Sequence, residues 1–244
     1  MDDKSALFGV YCAIDLSNLD EALALAEKIS PYVAGFKLGL EFYAANGPGG
    51  VIAFKKLGKP IFLDLKLFDI DNTVFSAMKN LAGLGVDFVT IHASGGRAMI
   101  KAARDGVRQG TPIGQMPPSI LAVTVLTSIS QEDIAAGGST LSVEERVLAL
   151  SELALTNGAD GLVSSGHEVA AIRRKYGIKP ILVVPGLRLN SDLDRVKKDD
   201  QKRVMTPAEA WNLGGNLLVV GRPITQAKDP AQAAKKIAET IGGI

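Results

Sequence analysis

The chain alternates between short runs rich in Val, Ile and Leu and longer stretches of helical composition, and it does so eight times. The runs are FGVYCAI, VAGFKL, PIFLDL, DFVTIH, SILAVTVL, DGLVS, PILVVP and NLLVVG. Continuous apolar runs without polar alternation are typical of parallel strands that are buried on both faces. Eight strand–helix units therefore predict an α/β fold with one closed parallel sheet, the (β/α)8 TIM barrel.

Helices are expected at 19–30, 48–57, 72–84, 96–109, 142–157, 167–176, 206–213 and 229–241. An open, doubly wound sheet is the alternative, but evenly spaced units leave no topological switch point and no GxGxxG follows the first run. Since barrels commonly reach this length as one unit, residues 1–244 are predicted to form a single domain. The connections 125–141 and 186–204 are unusually long, and long loops in compact domains are often functional.

Composition narrows the possible partners and compartments. The 27 Lys and Arg residues nearly balance the 26 Asp and Glu residues, so no global field draws the protein to nucleic acid or to a membrane surface. The single cysteine, Cys12, excludes an internal disulfide, and its place in a strand-like run predicts a packed thiol. The start MDDKSALFG does not resemble a signal peptide and no apolar run approaches the length of a membrane span, so a cytoplasmic protein is expected.

The segment 61–74, IFLDLKLFDIDNTV, places Asp64, Lys66 and Asp69 at the end of an apolar run. In a strand, side chains at i and i+2 share a face, so Asp64 and Lys66 are expected to point the same way. Burying charges costs several kcal/mol each, and an apolar pair would often serve stability as well or better. The pattern therefore favours a functional site over a structural ion pair at a strand end.

If the fold is a barrel, the carboxyl ends of its strands form the active face, and polar residues can be collected there strand by strand. They are Asp15, Lys37, Asp64, Lys66, Asp69, His92, Thr127, Pro185, Gly186, Arg188, Gly221 and Arg222. Near the first three strands the aspartates and lysines are expected to alternate in space. In such a row each charge keeps its neighbours ionised, so the array can stay fully charged near neutral pH.

DLKLFDIDNT resembles the DxKxxDIxNT signature of the orotidine 5'-monophosphate decarboxylases. The chain is similar to the bacterial members of that family over nearly its whole length, through AID at 13–15, FKLGLEF at 36–42, AVTVLTS at 122–128, PGLR at 185–188, Gln201 before RVMTP, and VVGRPIT at 219–225. One departure is Asp71, which stands where the family usually has proline. The change is expected to alter loop stiffness and to leave the assignment intact.

The resemblance implies a carboxy-lyase that converts orotidine 5'-monophosphate to uridine 5'-monophosphate and carbon dioxide, in the last step of de novo pyrimidine synthesis, with no cofactor and no metal. Lys66 would be the proton donor to C6 of the pyrimidine, and Asp64 and Asp69 would keep it charged. Lys37, also counted among the catalytic residues, would hold the ribose hydroxyls together with Asp15.

The resemblance also implies where the remaining contacts to the substrate lie. Thr127 would meet the pyrimidine edge or its flanking loop, and Gly221 and Arg222, at the start of the last helix, would bind phosphate. Arg188 and Gln201 bracket a polar stretch similar to the family's closing lid. The other reading of that stretch is a solvated loop.

The resemblance further implies a homodimer with shared active sites. Asp69 and Thr73 would enter the site of the neighbouring subunit. Sequence spacing alone does not predict this arrangement.

Two other functions stay open at this stage. A barrel enzyme on a sugar phosphate, such as a keto-gulonate-phosphate decarboxylase or a hexulose-phosphate synthase, would use Mg²⁺ and an enediolate, and a DxKxxD pattern occurs there too. It is disfavoured by Asn72 and Thr73 after the signature, by Gln201, and by the match over both halves of the chain. A non-catalytic sensor of phosphate ligands would need a broken charge array, whereas every charged position is filled.

Other conspicuous residues have simpler interpretations. His92 and His167 have no partner at metal-ligand spacing, so packing or capping roles are expected. Gly95–Gly96 and Gly137–Gly138 are predicted to be turns, because neither is followed by the Lys-Ser/Thr of a phosphate-binding loop. The sequence also predicts a core position for Trp211 and an exposed helix face for Arg173, Arg174 and Lys175.

Overall fold

Eight parallel strands pair in sequence order, and the last pairs with the first, so the sheet closes into a barrel. The protein is seen in a computed structural model that describes residues 7–188 and 205–242. The strands are β1 (Gly9–Ile14), β2 (Gly35–Gly39), β3 (Ile61–Leu67), β4 (Phe88–His92), β5 (Ser119–Val123), β6 (Gly161–Val163), β7 (Ile181–Val184) and β8 (Leu217–Val220). The predicted (β/α)8 barrel is confirmed.

Helices follow every strand and cover the outside of the barrel. They are α1 (Leu19–Ile29), α2 (Leu40–Lys55), α3 (Asp71–Ala82), α4 (Gly96–Gly110), α5 (Gln131–Ala136), α6 (Val143–Thr156), α7 (Gly166–Tyr176), α8 (Pro207–Asn212), α9 (Arg222–Thr225) and α10 (Pro230–Thr240). Most begin at a side chain that accepts a backbone N–H. Ser142 and Glu145, for example, form a reciprocal capping box at the start of α6.

Two helix predictions were wrong, and one helix was not predicted. Helix α2 begins at Leu40 rather than near 48, because the Gly47–Pro48 step, which resembles a helix boundary, is a kink inside it, with Gly47 at φ 55°. The long 125–141 connection contains α5, whose start is fixed by a capping box between Ser130 and Asp133. Gly221 and Arg222 do not open the last helix, since the short α9 begins there and precedes α10.

The barrel interior is filled by side chains from alternate strand positions, although the sequence runs themselves are uniformly apolar. Tyr11, Phe62 and Phe88 meet edge to face there, with ring centroids 5.9–6.4 Å apart. The outward-facing positions, including Cys12, pack under the helices. Burial, with a smaller contribution from Asp15, raises the pKa of the Cys12 thiol to about 12, which confirms a packed and unreactive side chain.

Polar residues at the amino-terminal end of the barrel fix how the strands start. Asp87 accepts the Ile61 N–H at 2.8 Å, and Asp160 accepts the Ile120 N–H at 2.7 Å. Each side chain precedes one strand and accepts an N–H from one of the first two residues of the neighbouring strand. Because an unpaired buried N–H is costly, these contacts help to set the register of the sheet.

The predicted exposed face at 173–175 is only partly correct. Arg174 and Lys175 are exposed, but Arg173 is half-buried and donates to the backbone carbonyls of Gly177, Pro180 and Gly214 and to the side chain of Asn216. Its planar guanidinium offers five donors, which suits the closely spaced carbonyls where α7 meets the bottom of the barrel. Trp211 packs against the hydrophobic core, as predicted.

Candidate active site

A cavity of about 490 Å³ opens at the carboxyl ends of the strands. That volume falls in the range of small-molecule sites, roughly 300–1,000 Å³. Its apolar wall comes from inward-facing barrel residues, namely Ala13, Phe62, Val123, Val163, Val183 and Val219. Its main polar residues are Asp15, Lys37, Asp64, Lys66, Thr127, Arg188, Gly221 and Arg222. Pro185 and Gly186 line it as well, so the structure brings together ten of the twelve residues that the sequence placed at the carboxyl ends of the strands.

Aspartate and lysine side chains alternate along one side of this cavity. Lys37 Nζ lies 3.3 Å from Asp15 Oδ1 and 3.6 Å from Asp64 Oδ2. Lys66 Nζ lies 2.7 Å from the same Asp64 oxygen. We call Asp15, Lys37, Asp64 and Lys66 the charged row. The predicted alternation is present, but it runs through four residues of one chain and does not include Asp69.

Lys37 and Asp64, in the middle of the charged row, are more deeply buried than Lys66 at its end. The side chains of Lys37 and Asp64 are each 10% exposed, whereas that of Lys66 is 30% exposed and faces the cavity. Burial raises the pKa of Asp64, but Lys37, Lys66 and hydrogen bonds from Lys66 and Thr90 outweigh burial and hold the pKa below its ordinary value. Asp64 is therefore a carboxylate at neutral pH.

Gly39, at the end of β2, leaves space for the side chains of the charged row. A Cβ at Gly39 would lie 2.8 Å from Lys37 Nζ and 3.0 Å from Asp15 Oδ1, closer than carbon approaches such atoms. Any side chain at this position would displace the Lys37–Asp15 ion pair. The glycine in FKLGLEF is thus explained by the site rather than by the strand.

Strand β3 is irregular where it carries the row. Leu63 pairs with Val89 and Leu67 pairs with Ile91. Between these two pairs β3 has three residues and β4 has one, so β3 bulges. Within residues 7–188 and 205–242, Lys66 is the one non-glycine residue at positive φ, 51°. This left-handed conformation costs roughly 1–2 kcal/mol, and such strain clusters at functional sites. Asp64 and Lys66 do lie together as predicted, but through a bulge rather than by regular alternation.

Two basic residues also line the cavity, beyond β7 and β8. Arg188 is buried and donates from Nη1 to the Leu187 carbonyl at 3.0 Å, while Arg222 is exposed at the start of α9. Thr127 follows β5 and reaches the same cavity. Gln201, the remaining predicted contact, lies outside the described residues. The cavity is therefore lined by two arginines in addition to the charged row.

Asp69 and Thr73 do not line the cavity of their own chain. Both are exposed, and the Asp69 carboxylate accepts a local hydrogen bond from the Ile70 N–H at 2.7 Å. The large apolar side chains on either side of Asp69 are exposed as well, Phe68 by 61% and Ile70 by 70%. Within one chain, this part of the signature faces outward.

The model of the Orotidine 5'-phosphate decarboxylase / HUMPS family matches residues 10–237. The chain belongs to this family. It is 48% identical to the orotidine 5'-phosphate decarboxylase of Paramagnetospirillum magneticum over 234 residues, which cover 96% of this chain and 98% of the relative. It is 45% identical to that of Novosphingobium aromaticivorans over 232 residues, 95% and 98% of the two chains.

Solved structures of the family agree with the fold. The crystal structure of orotidine 5'-phosphate decarboxylase from Lactobacillus acidophilus superposes with a TM-score of 0.84 at 37% identity, covering 97% of this chain and all of that one. The family's DxKxxDIxNT signature lies at the carboxyl end of β3 and the start of α3. The resemblance inferred from the sequence is therefore confirmed.

The departure from the family signature, Asp71, lies at the first position of α3 and is exposed. Proline is favoured at this position because its missing N–H is not needed there. An aspartate also suits it, because a negative charge in the first turn complements the helix dipole. Its Oδ1 accepts the Asn72 N–H at 3.2 Å. The aspartate thus stabilises the start of α3 through its charge, whereas a proline would do so through its fixed backbone conformation.

Sequence reasoning did not single out two further residues at the site. Glu41 lines the cavity at the start of α2 and accepts a hydrogen bond from Ser17 Oγ at 3.2 Å. Thr90 is fully buried in β4 and contacts Asp64. Glu41 stands in the quoted FKLGLEF match and could have been found there, whereas Thr90 resembles an ordinary β-branched strand residue.

The two histidines have local roles. The His92 ring meets the Phe68 ring edge to face, with centroids 5.9 Å apart, in line with the packing role expected. Burial, followed by Lys66, lowers the pKa of His92, so its imidazole is neutral at neutral pH. His167 is exposed just after Ser165, which caps α7. In the part of the chain that is described, no three His, Cys, Asp or Glu side chains are grouped to hold a metal ion.

Gly137 and Gly138 form a turn as predicted, with Gly138 at φ 80°. Gly95 and Gly96 do not, because Gly95 ends a short 3-10 helix and Gly96, at φ 86°, is the first residue of α4. None of the helices within 7–188 and 205–242 is long and apolar enough to cross a membrane.

Proposed function

We propose that this chain is an orotidine 5'-monophosphate decarboxylase that converts its substrate to uridine 5'-monophosphate and carbon dioxide without a cofactor. The observation that carries the proposal is the charged row, with Lys66 at its cavity end, in a chain whose curated relatives bear this name. The last step of pyrimidine synthesis, and with it a cytoplasmic location, follows from the family resemblance.

The reaction places an unusual demand on the site. Breaking the bond between C6 and the carboxylate leaves an electron pair in the plane of the pyrimidine ring, where it cannot delocalise into the π system. Reactions this slow in water require a barrier lowered by roughly 20 kcal/mol. Preorganised charge in a partly dry cavity is the largest single means available to a protein. A fixed ammonium group beside C6 meets that demand.

Lys66 is assigned two tasks in this scheme. Its ammonium group stabilises the pair that develops on C6 as carbon dioxide leaves, and one N–H proton then moves to C6 to form the product C–H bond. The neutral amine regains a proton from solvent once the product departs. The 2.7 Å contact with the ionised Asp64 keeps Lys66 charged and oriented until the transfer.

The remaining residues are assigned to binding the substrate. Asp15 accepts from the ribose hydroxyls and Lys37 donates to them, which suits a half-exposed carboxylate 3.3 Å from a buried ammonium group. Thr127 meets the pyrimidine edge. Gly221 and Arg222 bind the phosphate at the start of α9, and Arg188 and Gln201 complete the cover of phosphate and base.

We also propose a homodimer in which Asp69 and Thr73 enter the partner's cavity. Support comes from the apolar side chains on either side of Asp69, because Phe68 and Ile70 are exposed by 61% and 70%. Exposed apolar groups of this size mark interaction surfaces when they cluster. In the dimer Asp69 would extend the charged row past Lys66.

Removing the phosphate contact should separate the natural substrate from its nucleoside. Arg222→Ala is expected to lower kcat/KM for orotidine 5'-monophosphate by about tenfold to a hundredfold, the effect of one lost charge-assisted hydrogen bond. Its effect on orotidine, which has no phosphate, should be small. The measurement is the decline in orotidylate or orotidine absorbance with wild type and variant.

Arg174, an exposed arginine on α7, provides the matched control, and Arg174→Ala should behave like wild type on both substrates. An equal loss for both substrates in Arg222→Ala would show that Arg222 does not recognise phosphate. A wild type that prefers orotidine over its phosphate would count against the proposed function as a whole.

A further inference from the structure

The Thr90 hydroxyl group contacts both Lys66 and Asp64 on the bulged strand β3. Its Oγ1 accepts the backbone N–H of Lys66 at 2.8 Å and donates to Asp64 Oδ1 at 2.9 Å. The residue is fully buried, and it lies on the inner face of β4 with Phe88. A hydroxyl is suited to this bridge because it can accept and donate at once.

The position of Thr90 matches the irregularity of β3. It lies on β4 between Val89 and Ile91, the two residues that pair with Leu63 and Leu67 on either side of the bulge. In a regular parallel ladder a main-chain carbonyl would accept the Lys66 N–H. Here the Thr90 side chain accepts it instead, so the hydroxyl takes the place of one backbone hydrogen bond between the strands.

We propose that Thr90 is a positioning residue for the decarboxylation, holding Lys66 in its left-handed backbone conformation and Asp64 in its ion pair with Lys66. The inference rests on the proposed function for its kinetic consequence and on the geometry for its structural one. Without the hydroxyl, the Lys66 N–H would lose its partner and the Asp64 carboxylate one of its donors. Lys66 Nζ would then have more freedom to leave the direction of C6.

The protonation of Asp64 offers a readout that simple loss of packing would not change. The titratable groups around Asp64 follow or lie on four strands, and they are Asp15, Lys37, Lys66 and the neutral His92. Glu41, Arg188 and Arg222 face the same cavity. The hydrogen bond from Thr90 is one of the contacts that lower the pKa of Asp64. Losing it should raise that pKa, so activity should disappear at a higher pH as the solution is acidified.

The test compares Thr90→Val, which keeps the shape and removes the hydroxyl, with Thr90→Ser, which keeps the hydroxyl. Thr90→Val is expected to lower kcat about tenfold to a hundredfold, as when a charged group loses one hydrogen bond. KM should change less, and the acid limb of the kcat/KM profile should move to higher pH. Thr90→Ser should restore most of kcat and the wild-type acid limb.

Thr124 supplies a matched control. It is also a buried threonine, and its hydroxyl donates to the Val163 carbonyl at 3.0 Å, away from the charged row. Thr124→Val should destabilise the fold to a similar degree and leave the acid limb in place. If Thr90→Val does not fold, the pair Thr90→Ser and Thr90→Ala gives the same comparison, because the two differ only in the hydroxyl.

A folded Thr90→Val with wild-type kcat and acid limb would overturn the inference, as would an equal shift of the acid limb in Thr124→Val. A wild type without activity on orotidine 5'-monophosphate would instead overturn the proposed function. In that case carboxyl-labelled NMR titration of Asp64 decides the inference on its own. A higher Asp64 pKa in Thr90→Val than in wild type supports it, and an unchanged pKa overturns it.

Discussion

Lys66→Ala is expected to fold like the wild type and to lose decarboxylation by about 10²-fold to 10⁴-fold, the typical contribution of a positioned general acid. The variant removes both the proposed proton donor and the cation nearest the cavity. Folding should survive because the side chain is 30% exposed at a cavity and contributes nothing to the apolar core. Circular dichroism and product formation, measured on the same preparation, provide the check.

Lys101→Ala is the matched control for Lys66→Ala, since Lys101 is an exposed lysine on α4. It should retain wild-type activity. If Lys66→Ala keeps activity within about tenfold of wild type, Lys66 is not the general acid of this reaction.

Two inactive variants are expected to restore each other's activity when they are mixed. If each subunit lends Asp69 to its neighbour, a mixed dimer of Lys66→Ala and Asp69→Ala has one site with both changes and one site with neither. After subunit exchange, equal amounts should recover at most about a quarter of wild-type activity, because half of the dimers are mixed and each of these has one intact site. Activity is measured before and after exchange.

Mixing Lys66→Ala with a tagged copy of itself is the control for this experiment, and it should give no recovery. Exchange itself is shown by co-purification of tagged and untagged subunits. No gain in activity in spite of demonstrated exchange would place Asp69 in the site of its own subunit, and the shared-site proposal would then be wrong.

The barrel could be predicted because strands buried on both faces need continuous apolar runs, and the sequence has eight of them. The helix boundaries were harder to predict from the sequence. Gly47 and Pro48 resemble the start of a helix, yet α2 begins at Leu40, continues past a kink at Gly47 and packs against β2 and β3. Arg173 shows the same limit, because its acceptors lie up to 43 residues away along the chain.

The charged row could be predicted because its four residues stand at the carboxyl ends of three adjacent strands, which a closed parallel sheet brings together. The bulge that aims Lys66 could not be read from the sequence. It depends on a register shift between two strands and on the Thr90 hydroxyl across from it. No local pattern in IFLDLKL or DFVTIH indicates either contact.

The most direct test of the account is turnover of orotidine 5'-monophosphate by the purified protein in the presence of excess metal chelator. We expect loss of orotidylate absorbance with matching release of uridine 5'-monophosphate and carbon dioxide, at a rate that the chelator does not change. A related enzyme acting on a sugar phosphate through an enediolate would need a divalent cation. Absence of turnover, or activity on a sugar phosphate that the chelator abolishes, would contradict the account.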